Sequence, residues 1–386
     1  MRSTAILRLS SLLLISPIVS AQWSFPDEIR CTMPNQQLGT CINIRRCPSM
    51  LDMLQTRPLT PQITDFLRKS QCGYEGSNPK VCCKYNDIVE APTEAPIQNP
   101  LTNPEPPPNV RNHPNLRLLE AHCGIINKPK IIGGTVTGIN EFPWMALLSY
   151  DVGRTTPEFR CGGSVINKRY ILTAAHCVTK LPSNLRLIGV RVGEHDMGTD
   201  VDCENMGSQT VCNGEHQDFG IEEVIFHPQY ARTALHNDVA LIRVNDDIDF
   251  RPANAKAICM PLNIAGVIPP KMTVTGWGVT ELQVSSPVML KVNLPRFSQD
   301  ECAAVYQRQT EIWHKQMCMG GQQGKDSCNG DSGGPIQAPG VVNGKNKYIQ
   351  YGIVSFGVKN CGTQGLPGVY TRVDYYLDWI LNSIRA

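Results

Sequence analysis

Three short segments in the second half of the chain carry residues that could together perform nucleophilic catalysis. His176 lies in "LTAAHC", Asp238 in "HNDVALI" and Ser332 in "GDSGGP". A serine hydroxyl is a weak nucleophile until a base takes its proton, and a histidine can be that base when a buried carboxylate fixes its tautomer. Each residue alone is a weak signal, because the chain has eight histidines and distance along the sequence does not show that the three meet in space.

The segment "GDSGGP" is the most specific of the three. Its glycines allow the backbone to turn N–H groups toward a negative charge that develops on a reacting oxygen. Gly330 and Ser332 are the candidate donors of this oxyanion hole. A glycine-rich turn without a catalytic role is the alternative for this segment taken by itself.

The chain around these segments has the pattern of a β-rich domain. From Ile131 onward, short apolar runs such as "YILTAAHCV" and "YGIVSFGV" alternate with clusters of Gly, Pro, Asn and Asp. Many short strands with regular turn signals predict an all-β barrel or sandwich. Only "YYLDWILNSI" near the C-terminus has the apolar spacing of a helix.

The N-terminus has the pattern of a secretory signal peptide over residues 1–21. Arg2 and Arg8 precede the apolar stretch "LLLISPIV", and small residues lead to Ala21. This stretch is too short to span a membrane, and a buried N-terminal strand is the alternative. The pattern predicts a secreted, soluble protein with no membrane span. A net charge of +2 gives no indication of a nucleic-acid-binding surface.

The chain contains 16 cysteines, an even number that predicts disulfide bonds formed in an oxidising compartment. Metal binding is the alternative, but "VCCK" and "AAHC" do not follow the spacing of zinc ligands. Six cysteines fall within residues 30–84, and a module this small needs cross-links because it buries little apolar area. Its few titratable side chains favour a binding or regulatory role over catalysis.

Residues 85–130 follow that module and include seven prolines between positions 92 and 108. Proline at this density removes backbone donors and favours an extended, semi-rigid chain. We therefore predict a linker here. A docking site for a proline-recognising partner is the alternative.

Taken together, the three catalytic segments resemble those of the trypsin-like, chymotrypsin-fold serine proteases. Their order along the chain is the family's order, and "GWG" and "PGVYTRV" are similar to further family motifs. The resemblance covers residues 131–386 and implies two six-stranded antiparallel β-barrels with a C-terminal helix. It also implies a serine endopeptidase without a catalytic cofactor, in which His176 is the general base, Asp238 orients it and Ser332 is the nucleophile.

The same resemblance explains why a lysine directly precedes an apolar run in "NKPKIIGG". In zymogens of this family, cleavage frees an apolar N-terminus that folds inward and pairs with the acid just before the serine. Here cleavage after Lys130 would free Ile131, whose ammonium would pair with Asp331. An unpaired buried charge is costly, so the oxyanion hole and substrate pocket are expected to form only after cleavage. An accidental lysine in a loop is the alternative, and it leaves "IIGG" unexplained.

The resemblance further implies a preference for Arg or Lys side chains. Asp326, six residues before Ser332, matches the acidic base of the family's substrate pocket. The resemblance also implies that Gly357 and Gly368 form the walls of this pocket. The strand from Ser355 to Gly357 would pair with the substrate backbone. Phe356 departs from the family's usual tryptophan, so the resemblance does not define binding beyond the first subsite.

The six-cysteine module and the linker after it resemble the clip domain of arthropod serine proteases. Spacing alone leaves the disulfide pairing open. The resemblance implies the following pairs, with the last one left to close a small loop: Cys31–Cys82, Cys41–Cys72, Cys47–Cys83, Cys123–Cys259, Cys161–Cys177, Cys302–Cys318, Cys328–Cys361 and Cys203–Cys212. The predicted organisation is a signal peptide at 1–21, a clip domain at 30–84, a linker and activation segment at 85–130 and a protease domain at 131–386.

The segment "GEHDMGTDVDC" predicts a structural calcium site, since carboxylate and other hard oxygen ligands suit this ion. Related proteases often hold calcium at this place. The candidate ligands are Glu194, Asp196, Thr199 and Asp202. A solvated acidic loop held by a disulfide bond is the alternative.

The whole arrangement resembles the easter, grass and prophenoloxidase-activating group. This implies a zymogen secreted into haemolymph that cleaves proteins after Arg or Lys in a melanisation or Toll-signalling cascade of innate immunity or development. An upstream trypsin-like protease would activate it, and a serpin-type inhibitor would control it. The rival function is that of a non-catalytic clip-domain cofactor that only binds partners. Retention of His176, Asp238 and Ser332 argues against the rival.

Overall fold

The chain divides into two units, which are residues 1–101 and 102–386. A computed structural model describes residues 30–55, 59–75, 78–84, 87–88, 105–126, 135–206, 209–262, 267–279, 285–324, 326–327, 330–358 and 361–386. The predicted signal peptide, most of the proline-rich stretch, Lys130, Ile131 and Cys328 lie outside the described residues. None of the helices in the described part of the chain has the length and apolar character needed to cross a membrane.

The first unit is a four-stranded antiparallel sheet with two short helices. Its strands follow the order β1-β2-β4-β3. The elements are β1 (Arg30–Thr32), β2 (Leu38–Asn43), α1 (Pro48–Gln55), α2 (Pro61–Ser70), β3 (Gln71–Glu75) and β4 (Asn78–Lys84). Helix α2 begins after Thr60, whose hydroxyl accepts a hydrogen bond from the backbone N–H of Ile63 at 3.3 Å. This N-cap, with Pro61 at the first helical position, explains where the helix starts.

The core of the first unit depends on its disulfide bonds. Three of its seven buried core residues are cysteines, the others being Met33, Ile42, Met50 and Val81. The bonds present are Cys31–Cys82, Cys41–Cys72 and Cys47–Cys83. So small an apolar core cannot offset the entropy of an unconstrained chain, which is why cross-links must limit the unfolded state.

The second unit begins with a closed six-stranded barrel. Its strands run in the order β12-β13-β8-β7-β6-β9. They are β6 (Met145–Asp151), β7 (Glu158–Val165), β8 (Tyr170–Thr173), β9 (Arg186–Val192), β12 (Gln217–Phe226) and β13 (Ala240–Val244). A hairpin of β10 (Cys203–Met206) and β11 (Gln209–Cys212) lies between β9 and β12 in the chain, and the short helix α3 (Ala175–Val178) follows β8. The all-β prediction is confirmed, and its first six-stranded barrel is present.

The second sheet departs in detail from the predicted six-stranded barrel. It has seven strands in the order β16-β19-β18-β17-β14-β15-β5. They are β5 (Thr135–Val136), β14 (Lys271–Gly276), β15 (Leu290–Pro295), β16 (Gln316–Gly320), β17 (Pro335–Val342), β18 (Lys345–Phe356) and β19 (Pro367–Arg372). A single bridge from Arg296 to Met319 joins the end of β15 to β16, so six strands curl into a barrel closed at one point. The strand β5 is a seventh strand at the edge of this sheet. It has only two residues, so no apolar pattern in the sequence could predict it.

Two helices complete the second unit, α4 (Gln299–Tyr306) and α5 (Leu377–Ser383). The predicted C-terminal helix is α5, preceded by a 3₁₀ turn over Val373–Tyr376. It buries Leu377, Ile380 and Leu381, and this spacing of three and four residues places them on one helix face.

Part of the predicted linker is packed on the second unit instead of being extended. Val110 is buried, and the side chain of Asn115 donates to the backbone oxygen of Leu381 at 2.9 Å. Cys123 is bonded to Cys259. Residues 105–126 therefore belong structurally with the second unit, because an apolar anchor, polar contacts and a disulfide bond outweigh the stiffness that the prolines impose.

Candidate active site

His176 and Asp238 meet through two hydrogen bonds. The ring Nδ1 of His176 lies 2.8 Å from Asp238 Oδ2, and the backbone N–H of His176 donates to Oδ1 at 2.9 Å. The histidine sits in the short helix after β8, whereas the aspartate precedes β13, and β8 and β13 are paired neighbours in the barrel. Strand pairing thus brings together two residues that are 62 positions apart.

Asp238 is fully buried, and residues from the second sheet satisfy it. The hydroxyl of Ser355 in β18 donates to Asp238 Oδ2 at 2.5 Å, and the hydroxyl of Thr371 in β19 donates to the Asp238 backbone oxygen at 2.9 Å. A buried carboxylate with this many donors keeps one orientation. The family resemblance indicates Ser355 only as part of the substrate-pairing strand, and no local sequence pattern signals its side-chain contact with Asp238.

This environment sets the protonation of His176. Burial disfavours the imidazolium, but the negative charge of Asp238 and its hydrogen bond outweigh burial and raise the pKa of His176 above its ordinary value. The side chain of His176 is 25% exposed, so part of the ring is open to solvent. A histidine held in one orientation by a buried carboxylate has the properties required of a general base.

The segment that carries Ser332 lies against β7 and the end of β8, next to the helix that carries His176. The backbone oxygen of Ser332 accepts a hydrogen bond from the N–H of Gly162 in β7 at 2.8 Å. The next residue, Gly333, has a positive φ of 79°, and a Cβ there would lie 2.3 Å from the hydroxyl of Thr173 at the end of β8. Only glycine permits this close approach, which seats the loop beside the helix that begins two residues after Thr173.

The neighbourhood of the candidate oxyanion hole also depends on glycine. Gly330 has a φ of 101°, and a Cβ at this residue would lie 3.0 Å from the Cα of Gly278. Asp331 accepts a hydrogen bond from the N–H of Gly278 at 3.0 Å. A Cβ at Gly276 would lie 2.2 Å from Asp331 Oδ1. The two glycines of the "GWG" motif therefore allow the close approach of the Asp331 carboxylate. Ile131, the predicted partner of this carboxylate, lies outside the described residues.

Asp326 and two glycines form the candidate substrate pocket. A Cβ at Gly368 would lie 3.1 Å from Asp326 Oδ1, and a Cβ at Gly357 would lie 3.8 Å from the Cα of Gly368. The carboxylate accepts backbone hydrogen bonds from Ser327 at 2.8 Å and from Gly362 at 3.3 Å. Because Gly368 has no side chain, its backbone approaches Asp326 closely.

Burial makes Asp326 a weaker acid than an exposed aspartate. It raises the pKa of Asp326 to about 6, against the opposing effect of the two backbone donors, and the charge of Asp331 adds to the increase. The carboxylate is therefore mostly ionised at neutral pH but has no cationic partner among the hydrogen bonds named above. A substrate guanidinium or ammonium would supply that partner and favour the ionised form.

The acidic loop, residues 193–203, is held by hydrogen bonds and an ion pair within the protein. Glu194 has 2% of its side chain exposed, and its Oε2 lies 3.1 Å from Arg191 Nη1. Asp202 accepts from the hydroxyl of Thr199 at 2.6 Å and from the backbone N–H of Asp196 at 3.2 Å. The donor chemistry suits a hard cation, but Glu194 is turned to a guanidinium.

One further cluster of metal-ligating residue types lies in the described part of the chain. Among the described residues, the single group of three metal-ligating side chains whose ligand atoms lie within 4.8 Å of one another is Cys161, His176 and Cys177. The two cysteines are bonded to each other, so they cannot act as thiolate ligands.

The implied disulfide bonds of the second unit are largely visible. The bonds present are Cys123–Cys259, Cys161–Cys177, Cys203–Cys212 and Cys302–Cys318. Cys361 is also disulfide-bonded, and its implied partner, Cys328, lies outside the described residues. The Cys161–Cys177 bond joins β7 directly to the residue after His176, which restricts the position of the histidine helix.

Comparisons with known proteins agree with this geometry. The Trypsin family model matches residues 131–380, and the model for the regulatory CLIP domain of proteinases matches residues 31–83. Melanization protease 1 of Drosophila melanogaster is 39% identical, with 92% of this chain and 93% of the relative covered. Phenoloxidase-activating factor 3 of Holotrichia diomphalia is 36% identical, with 97% and 99% covered. The crystal structure of the Drosophila Grass clip serine protease of the Toll pathway is similar, with a TM-score of 0.61 and 31% identity over 92% of this chain and 98% of that chain.

Proposed function

The chain belongs to the trypsin family of serine proteases and carries a CLIP domain, and from this premise we propose that it is a secreted zymogen whose active form cleaves proteins after Arg or Lys. The observation that carries the proposal is the buried Asp238 carboxylate, which holds His176 in place. The Ser332 loop packs nearby on β7, the strand next to β8. The general activity is that of a serine endopeptidase. Activation, specificity and the roles of individual residues are the proposed parts.

The proposed reaction follows from the groups that the site provides. His176 takes the proton of the Ser332 hydroxyl as Ser332 attacks the substrate carbonyl carbon, and Asp238 stabilises the resulting imidazolium. The N–H groups of Gly330 and Ser332 stabilise the negative oxygen of the tetrahedral intermediate. His176 then returns the proton to the leaving amine, which gives an acyl-enzyme. Water, activated by the same histidine, hydrolyses that ester and restores the serine.

The register of the second sheet supports activation at Lys130. Val136 pairs with Leu290, Leu290 pairs with Gly276, and Gly276 contacts the Asp331 carboxylate. Two strand spacings amount to about 10 Å. Ile131 lies five residues before Val136, and a five-residue extended segment reaches about 17 Å. A new ammonium at Ile131 is therefore within reach of Asp331 without any change in the strand pairing.

The proposed biological setting is an extracellular cascade of innate immunity or development, acting through prophenoloxidase activation or Toll-ligand processing. It rests on relatives named for melanization and phenoloxidase activation, and on a similar structure named for the Toll pathway. The signal-peptide pattern and the disulfide bonds support secretion, and haemolymph is the proposed location. The proposed partners are a protein substrate, an upstream trypsin-like protease that accepts Lys130 and a serpin-type inhibitor.

Limited proteolysis of the full-length precursor tests this proposal. We expect a small amount of a trypsin-like protease to produce a new N-terminus that begins "IIGG", and hydrolysis of Arg and Lys peptides, but not Phe peptides, to appear only then. The two chains should separate only after reduction, because Cys123–Cys259 joins them. Lys130→Gln is the matched control and should remain uncut and inactive.

Two outcomes would contradict parts of the proposal. Full activity of the uncut precursor would show that Lys130 is not a switch. Correct cleavage without hydrolysis of any peptide would favour the rival function, in which the clip domain recruits partners and the protease fold is a scaffold. The Ser332→Ala variant separates the two functions further, since biological activity that survives this change cannot depend on catalysis.

We also propose that the acidic loop binds a structural calcium ion once Glu194 leaves Arg191. The support is charge: four carboxylates, those of Glu194, Asp196, Asp202 and Glu204, act on the half-buried ring of His195. We expect calcium, but not an equal concentration of magnesium, to raise the Tm of the wild-type protein. Asp202→Asn should abolish that increase. An equal Tm with calcium and with a chelator would identify a solvated acidic loop instead.

A further inference from the structure

We propose that two buried hydrogen bonds between the barrels, Trp144–Gln337 and Ser164–Gln350, position the Ser332 loop against His176. We call these four residues the interbarrel latch. The inference deepens the proposed protease function and rests on it. The latch residues lie outside the triad and the candidate substrate pocket, so we assign them as positioning residues.

The first barrel presents its half of the latch from two adjoining strands. Trp144 directly precedes β6, and its backbone oxygen accepts a hydrogen bond from Val165 in β7 at 2.8 Å. Its neighbour Met145 pairs with Ser164 across the same two strands. Trp144 and Ser164 are both fully buried. Their polar atoms therefore need partners within the protein. The Ser164 hydroxyl has a long contact of 3.4 Å to the backbone oxygen of Leu172 in its own barrel, and the second barrel provides the short hydrogen bonds.

The second barrel contributes two glutamines on neighbouring strands. Gln337 in β17 and Gln350 in β18 lie opposite each other in the sheet register, and both are fully buried. Gln337 Oε1 accepts from the indole N–H of Trp144 at 2.6 Å, and Gln350 Oε1 accepts from the Ser164 hydroxyl at 2.6 Å. Two neighbouring strands of one barrel are thus bonded to two neighbouring strands of the other.

The amide groups of both glutamines are held from the other end as well. Gln337 Nε2 donates to the hydroxyl of Thr275 at 3.0 Å, and Gln350 Nε2 donates to the backbone oxygen of Gly352 at 3.2 Å. These bonds fix each amide oxygen toward the first barrel. Apolar contact between barrels is non-directional, whereas satisfied buried hydrogen bonds favour one relative placement. The latch therefore contributes to how the barrels align, together with the bonds from Ser355 and Thr371 to Asp238.

The latch lies directly beside the catalytic groups along the chain. β17 starts three residues after Ser332, and Gln337 is the third residue of that strand. Gly162, which bonds the Ser332 backbone oxygen, is two residues before Ser164 in β7. A shift of one barrel against the other would move Ser332 relative to His176. It would not disturb the candidate pocket, because Asp326, Gly357 and Gly368 all belong to the half of the domain that follows the first barrel.

Steady-state kinetics of activated Gln337→Met and Gln350→Met enzymes test the inference. Methionine has nearly the volume of glutamine but replaces its amide with a thioether, which is only a weak acceptor and has no N–H to donate. We expect kcat per titrated active site to fall about tenfold or more, since small misplacement of reacting groups is costly. KM for an Arg peptide and the Kd of an arginine-like pocket ligand should stay at the wild-type value. Trp144→Phe, a milder change, repeats the test if a glutamine variant does not fold.

Thr273→Val is the matched control. Thr273 is buried in β14 opposite Gln337, but its hydroxyl bonds Asn293 within the same sheet at 2.8 Å. This control should lower the Tm and keep kcat. Latch variants with a lower Tm but the full wild-type kcat would overturn the inference, because they would show a structural role only. Wild-type enzyme that hydrolyses nothing after cleavage would instead contradict the proposed function, so the two failures are distinguishable.

Discussion

Replacing Asp238 with asparagine should lower kcat of the activated enzyme by about 10⁴-fold, the effect of this change in a Ser-His-Asp triad. The asparagine side chain fits the same buried space but can present an N–H to His176 Nδ1 in place of an accepting oxygen. The ring would then carry its proton on the nitrogen that must accept the proton of Ser332. KM should change little, because Asp238 is not part of the candidate pocket.

The role of Asp238 also predicts how the pH dependence of kcat should change in this variant. Catalysis requires neutral His176, so activity of the wild type is lost as pH falls through the pKa of this residue, which Asp238 raises. In the Asp238→Asn variant, burial still disfavours the imidazolium but the opposing charge is gone. The acid limb of the residual activity should therefore move to lower pH. Measurement of kcat from pH 5 to pH 9 checks both the loss and the shift.

Ser355→Ala is the informative control for Asp238→Asn. It removes one donor to the carboxylate and leaves the charge in place, so we expect a smaller loss of kcat and an acid limb close to that of the wild type. A loss below tenfold in Asp238→Asn, or an acid limb that moves to higher pH, would contradict the assigned role of the carboxylate.

Replacing Asp326 with asparagine should lower kcat/KM for Arg and Lys peptides by about 10³-fold. The loss of one partner of a buried ion pair costs about 3–5 kcal/mol, and each 1.4 kcal/mol corresponds to about a tenfold change. The cationic side chain of the substrate would enter a pocket that no longer offers a charge. Hydrolysis of a Phe peptide, which has no such pairing, should not fall.

The same residue predicts a pH effect on substrate binding. Burial raises the pKa of Asp326 to about 6, so its charge is lost as pH falls through that value. KM for an Arg peptide should therefore rise below about pH 6 in the wild type, and this increase should be absent from Asp326→Asn.

A control on the protein surface completes this comparison. Asp300→Asn removes an exposed carboxylate in the first turn of α4 and should leave both kcat/KM and the pH dependence of KM unchanged. An Asp326→Asn enzyme that keeps its preference for Arg over Phe would remove Asp326 from the pocket.

Features carried by contiguous residues could be predicted from the sequence. The segments around His176, Asp238 and Ser332 indicate the chemistry because each motif holds its residue and the required backbone freedom within a few positions. Alternating apolar runs and turn residues indicate a β-rich domain, and the cysteines indicate the disulfide framework. These signals are local, so they are present in the chain before it folds.

Features that depend on contacts between distant residues could not be predicted in this way. The bond from Ser355 to Asp238 joins residues 117 positions apart, and the bond from Trp144 to Gln337 joins residues 193 positions apart. Serine and glutamine at these positions have no spacing that distinguishes them from surface residues. Their importance arises from burial, where an unsatisfied polar atom is costly and a satisfied one fixes a single arrangement.

The sequence by itself determined the class of chemistry, the candidate triad and the division into a small cross-linked module and a β-rich domain, because these depend on residue types at short spacing. Tertiary structure alone decided the closure of the second sheet through Arg296 and Met319, the packing of residues 105–126 and the turn of Glu194 toward Arg191. Each of these is a choice among partners that the chain brings together only when it folds, and the free energy of burial selects among them.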